Sequence, residues 1–163
     1  PFELVILQGG SGEANTISER KDFSLKAKEM IEKIHEAEAE AALYMIHAYV
    51  EPHENTNPEM IKNIKKMYID AANQNNVLVI PVGIAFENAY DLNPDIVLHK
   101  DYDGSHPSLL GTYLAACVVF SSITHKSPLK IQYDYFGKIT QEDKKFLQEV
   151  AKNTVENFYR IKL

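Results

Sequence analysis

An aspartate, an imidazole and a proline stand close together in Asp103-Gly104-Ser105-His106-Pro107-Ser108, just ahead of the apolar run Leu109 to Thr124. A proline at the first position of a helix loses nothing, because its missing N–H would have had no helical partner. Pro107 also biases His106 toward an extended conformation, which sets the imidazole on the turn before the helix. With Asp103 one turn away to orient its ring, a histidine so placed is arranged as a general base. Such a base needs a group to activate.

The elements that must position this pair can be read from hydrophobic periodicity. Phe2 to Gln8 is an apolar run of β-formers closed by the turn Gly9-Gly10-Ser11-Gly12. Phe23, Ala27, Met30, Ile31, Ile34 and Ala37 recur at helical spacing, and Ala41 to Tyr49 reads as a second strand. Asn57-Pro58 predicts a helix cap and first-turn proline before Ile61, Ile64, Tyr68, Ala71 and Ala72. Val77 to Val82 is a third strand, Ala85 to Tyr90 a helical turn, and Ile96 to His99 a short strand or extended segment. Ile131, Tyr133 and Tyr135 alternate, and Thr140 caps a helix carrying Phe146, Leu147, Val150, Ala151, Val155 and Phe158 on one face.

Apolar strands separated by amphipathic helices predict an α/β fold with a parallel sheet covered on both faces. Ligands of such sheets bind beyond the carboxyl ends of the strands. That rule points to the segments after Gln8, Met45 and Val82 and to the turn carrying His106. No repeat or linker interrupts the chain, so residues 1–163 read as one domain.

Composition narrows the function. The 163 residues carry 17 basic and 23 acidic side chains, a formal charge of −6, without a basic cluster, which argues against nucleic acid as a partner. The single cysteine, Cys117, lies in an apolar run and reads as a buried small hydrophobe. Pro107 to Thr124 is uncharged, but its proline, glycine and hydroxyl residues suit a buried helix rather than a membrane span. The chain opens directly on a strand with no signal sequence, which leaves the compartment open, secretion included.

Asp103-Gly104-Ser105-His106-Pro107-Ser108, followed by Gly111-Thr112-Tyr113-Leu114-Ala115-Ala116, resembles the last signature block of the SGNH (GDSL-type) hydrolases. Val5-Ile6-Leu7-Gln8 with Ser11 resembles the third block, and Pro81-Val82-Gly83-Ile84-Ala85-Phe86-Glu87 the strand and turn before the last. Phe146 to Ala151 is similar to the closing helix. The resemblance implies a three-layer α/β/α, flavodoxin-like fold and ester hydrolysis through a serine. It implies that His106 takes the serine's proton while Asp103 orients and stabilises the imidazolium. The family's nucleophile follows the first strand in Gly-Asp-Ser or Gly-Asn-Ser. That turn is absent, so the expectation is a domain lacking its first βα unit or units, inactive alone and bound to the missing segment or to itself.

Other residues compete for roles. Ser11 follows a strand and a glycine pair, yet Glu13 breaks the G-x-S-x-G pattern, so it reads as a turn serine and only secondarily as a nucleophile. Gln8 stands where the family carries an asparagine; Gln8 or the backbone N–H groups of Gly9 and Gly10 are the oxyanion-donor candidates. His47, Glu51 and His53 have loose metal-ligand spacing, but Pro52 prevents a regular helical face, and no metal is expected. His47, Tyr49 and Glu87 are expected substrate contacts, whereas His35, His99 and His125 read as surface or structural residues. Gly9 to Gly12 lacks the lysine of a phosphate loop, and no cofactor is implied. The expected function is an SGNH-type esterase acting on a small-molecule or carbohydrate ester. A non-catalytic ligand-binding module and an acyltransferase on the same fold are the alternatives.

Overall fold

A computed structural model of the chain describes residues 2–163. Its elements run in the order β1 (Leu4–Gln8), α1 (Ile17–Glu36), β2 (Glu40–Tyr44), α2 (Met60–Asn75), β3 (Leu78–Ile80), α3 (Val82–Leu92), α4 (Leu109–Thr124) and α5 (Gln141–Tyr159), with a 3-10 turn at Pro128–Lys130. The chain is thus α/β, as the strand and helix patterns predict. It divides into two compact units, Pro1–Ala48 with Asn57–Gly83 and Tyr49–Thr56 with Ile84–Leu163.

The first unit holds a parallel three-stranded sheet in the order β1-β2-β3, with Ile6 opposite Ala42 and Leu43 opposite Val79. β2 is central, and its Ala41, Ala42 and Leu43 are buried, as a strand covered on both faces requires. The β2 reading to Tyr49 is too long. Pro81 has no N–H with which to extend the β3 ladder, and the last links are Met45 N–H to Ile80 O at 3.0 Å and Gly83 N–H to Met45 O at 2.9 Å. Gly83 then packs so tightly on the Ile46 carbonyl that a Cβ there would collide with it.

α1 opens with a capping box. Glu19 N–H donates to the Thr16 hydroxyl at 3.2 Å while Thr16 N–H donates to the Glu19 carboxylate at 3.0 Å. Phe23, Ala27 and Ile31 form its buried stripe. α2 begins later than Asn57-Pro58 predicts. The Asn57 side chain instead accepts from Glu59 N–H at 2.9 Å, making a turn, and the helix starts at Met60.

In the second unit α4 packs on α5, burying Leu114, Cys117 and Val118 on one helix and Leu147, Val150, Ala151 and Val155 on the other. Truncating a fully buried leucine such as Leu114 or Leu147 costs about 2–5 kcal/mol. Burial raises the Cys117 thiol to about 11, so at neutral pH it is an inert hydrophobe. α4 has 16 residues, and among the described residues no helix is long and apolar enough to cross a membrane.

The readings of Ala85–Tyr90 and Pro107 differ from the structure in this unit. The predicted turn at Ala85–Tyr90 belongs to the full helix α3. Ile96–His99 takes the extended alternative, with one antiparallel bridge from His99 to Pro107, and the alternating Ile131–Tyr135 is irregular. Pro107 is occupied by that bridge and does not open α4; Ser108 caps it, accepting from Gly111 N–H at 3.1 Å.

Candidate active site

The turn between Lys100 and His106 is closed by its own backbone. Gly104 N–H donates to the Lys100 carbonyl at 2.9 Å, and Lys100 N–H donates to the His106 carbonyl at 2.7 Å. Gly104 sits at φ +62°, in the left-handed region that glycine alone enters freely. Its Cβ-less face lies against the Val50 carbonyl, and its own carbonyl accepts Val50 N–H at 2.9 Å. The turn and the 49–56 loop are therefore knit together, two segments far apart in sequence.

Asp103 organises this turn. Its Oδ1 accepts the N–H groups of Ser105 at 2.8 Å and His106 at 2.9 Å, and its Oδ2 lies 2.7 Å from His106 Nδ1. The two backbone N–H groups, reinforced by the imidazole, lower its carboxyl to about 2. A carboxylate ionised at neutral pH can only accept, so Nδ1 of His106 carries the proton. In the neutral ring the lone pair is then on Nε2. The His106 side chain is 74% exposed, so the ring is open to a reacting group. This pair is brought together as the sequence suggests.

The other candidates are distributed as follows. Gln8 is exposed at the carboxyl end of β1, and Ser11 is exposed in the turn after it. Gly10 N–H donates to the Glu13 carboxylate at 3.0 Å, and Gly9 N–H to the Tyr68 hydroxyl at 3.1 Å. A Cβ on Gly9 would strike Glu13 and the Phe23 ring, so this turn is packed from beneath. Burial holds the Tyr68 phenol protonated far above its ordinary range. His47 and Glu87 are half-buried. Tyr49 is buried, with its ring stacked on His53 at 3.7 Å between centroids.

His53, singled out in the sequence only for its metal-ligand spacing, accepts Asn55 N–H on Nδ1 at 3.1 Å. No group of three His, Cys, Asp or Glu side chains gathers as a metal site among the described residues. His99 is buried behind the turn, with the Tyr90 hydroxyl 2.6 Å from its Nδ1 and the Phe86 ring edge-on at 5.3 Å, a structural histidine. Sequence reasoning missed Glu13 as the partner of Gly10, although its spacing of three residues across a glycine turn is the available signal. It also missed that Val50 and His53 meet the Asp103 turn, for which no local signal exists.

The chain shares its α/β fold, built on a parallel sheet, with solved structures. Among solved structures, the chain is similar to a DUF4886 family protein from Bacteroides uniformis, with a TM-score of 0.81 at 23% identity over 99% of this chain and 64% of that one. It is also similar to a protein provisionally assigned as an SGNH hydrolase from Slackia heliotrinireducens, with a TM-score of 0.63 at 20% identity, covering 74% of this chain and 65% of that one. The chain thus spans a little under two thirds of each. Likeness at this identity shows the fold alone. No protein-family model matches the chain, and no curated protein matches it.

Proposed function

We propose that the chain is the greater part of an SGNH-type serine esterase in which Asp103 and His106 activate a serine supplied by residues outside it. The observation that carries this reading is the 2.7 Å contact from His106 Nδ1 to a carboxylate held near pKa 2, on an exposed ring. Nε2 takes the serine proton as Oγ attacks the ester carbonyl, and Asp103 stabilises the imidazolium so formed. The tetrahedral intermediate collapses as Nε2 returns the proton to the leaving alkoxide oxygen, leaving an acyl-serine. Water then attacks that acyl group while Nε2 takes its proton; collapse releases the acid and restores the serine. None of these steps calls for a cofactor.

For the oxyanion we favour the Gln8 side-chain amide. Gly10 N–H contributes only when the Glu13 carboxylate is displaced from it. Ser11 is the alternative nucleophile within the chain. His47, Tyr49 and Glu87 are proposed to shape the substrate end, Tyr49 from its buried position against His53. The substrate class is a small-molecule or carbohydrate ester.

The test is hydrolysis of p-nitrophenyl acetate by the full-length protein. His106→Ala lowers kcat/KM by about 10²–10⁴-fold, the usual worth of a general base; unchanged turnover contradicts the assignment. A second reading, a ligand-binding module without chemistry, is favoured by one observation: the Gly9 and Gly10 N–H groups already have partners. Saturable ligand binding by full-length protein that turns over no ester would establish it. Acyl transfer uses the same residues and differs only in the acceptor, so product analysis with added alcohol separates it from hydrolysis.

A further inference from the structure

A groove of about 500 Å³ runs along α4, beginning at Pro107, the residue after His106. This is the size of a small-molecule site. Leu109, Ala116 and Cys117 line it from the helix, and Ile131, Tyr133 and Ile139 from the segment that precedes α5. The two walls are fastened by Gln148, which is buried and donates to both the Tyr113 hydroxyl and the Ile131 carbonyl at 2.9 Å. The groove is therefore held open by the fold.

Its chemistry is selective. Among the described residues Lys100 and Lys138 are the only charged side chains lining it, and both are exposed. The Lys138 ammonium stands 5.6 Å from the centre of the Tyr135 ring. Among the described residues no carboxylate belongs to the lining itself, and the Asp134 carboxylate beside it is engaged by the Gly137 N–H. Two hydroxyls of the wall spend their protons within the fold, Ser108 on the Val97 carbonyl and Thr112 on the Ser108 carbonyl, while Tyr113 accepts from Gln148. The polar groups left to a ligand are the Tyr133 and Tyr135 phenols and the two ammoniums. The wall also offers apolar surface: Tyr133 is 54% exposed, packed edge-to-face against Tyr135 and Phe136.

The backbone accepts a cost to present these rings. Tyr135, Phe136 and Gly137 all have positive φ, at 55°, 59° and 76°, and the turn is held by Gly137 N–H donating to Asp134 Oδ1 at 2.8 Å. Consecutive left-handed aromatic residues are a sterically disfavoured way to build a loop.

We propose that this groove binds a medium-chain carboxylate, with the alkyl chain along α4 against the aromatic segment and the carboxylate at the lysine rim. The proposal goes beyond the esterase reading and does not depend on it, since it is measured as equilibrium binding to the chain.

The experiment titrates the protein with hexanoate, octanoate and decanoate below their micelle concentrations, following amide and methyl NMR shifts. Saturable binding is expected, with affinity rising up to about fourfold per methylene, the value for full burial of each CH₂. Ala116→Phe, which fills the groove from an exposed helix position, should weaken decanoate at least tenfold. Lys100→Gln with Lys138→Gln, both at exposed sites, should weaken it severalfold and remove most of its salt dependence. Binding that is absent, insensitive to Ala116→Phe, or equally tight for decyltrimethylammonium would overturn the proposal. Preferential binding of cellobiose would overturn it in favour of a sugar site.

Discussion

Val50 and Gly104 hold the Asp103–His106 turn by mutual contact: the Val50 N–H donates to the Gly104 carbonyl at 2.9 Å, while the Val50 carbonyl occupies the space a Cβ on Gly104 would need. With φ at +62°, alanine at this position pays for a left-handed backbone, about 1–2 kcal/mol, and must also push Val50 away. Gly104→Ala is therefore expected to lower unfolding stability by at least that amount and to shift the His106 ring resonances. Wild-type stability with unchanged resonances would show that the turn is not held this way.

Asp103 gives the turn a pH dependence of known sign. Its folded pKa, about 2, is below the ordinary 3.8, so the stability it contributes is fully present above pH 3.8 and is lost as pH falls through 2. Urea unfolding followed between pH 5 and pH 2 should show a decline that is shallower in Asp103→Asn. Equal slopes in the two proteins would mean that the carboxylate is not stabilised by the turn.

Glu13 is expected to close the Gly10 N–H off from any ligand. Glu13→Ala should speed hydrogen exchange at the Gly10 amide by roughly threefold to tenfold, in keeping with the net worth of one hydrogen bond of about 0.5–1.5 kcal/mol. If the full-length protein is an esterase that uses Gly10, the same variant raises its turnover. An exchange rate left unchanged would place the carboxylate elsewhere in solution.

β1 is an edge strand among the described residues, and its surroundings are apolar. Phe2 is 81% exposed and Ile6 40%, and Phe2, Val5, Leu7, Met30 and Ile34 line a cavity of about 470 Å³ beside it. Open edges of this kind pair with other strands. The chain should self-associate at micromolar concentration in sedimentation, and Ile6→Lys should reduce that association; a monomer at all concentrations contradicts it.

Much of the architecture was readable because local chemistry and tertiary structure agree. The apolar runs became β1, β2 and β3, the Phe23–Ala27–Ile31 stripe became the buried face of α1, and Thr140 caps α5 with its hydroxyl accepting from Asp143 N–H at 3.1 Å. The Asp103–His106 pair was readable for the same reason, since three residues of a tight turn suffice to join them. Helix starts were harder. The helix predicted from Asn57-Pro58 starts only at Met60, and α4 starts after Pro107 because the bridge to His99 holds that residue outside the helix. The contact of the 49–56 loop with Gly104 and the aromatic groove wall depend on segments distant in sequence, and no spacing rule reports them.

Covalent labelling of the full-length protein by a fluorophosphonate reads out whether His106 activates a serine. A single adduct is expected, located by mass spectrometry on one serine and forming at least about a hundredfold more slowly in His106→Ala. No adduct on the wild-type protein, or an adduct that forms at the same rate without the imidazole, would contradict activation by His106.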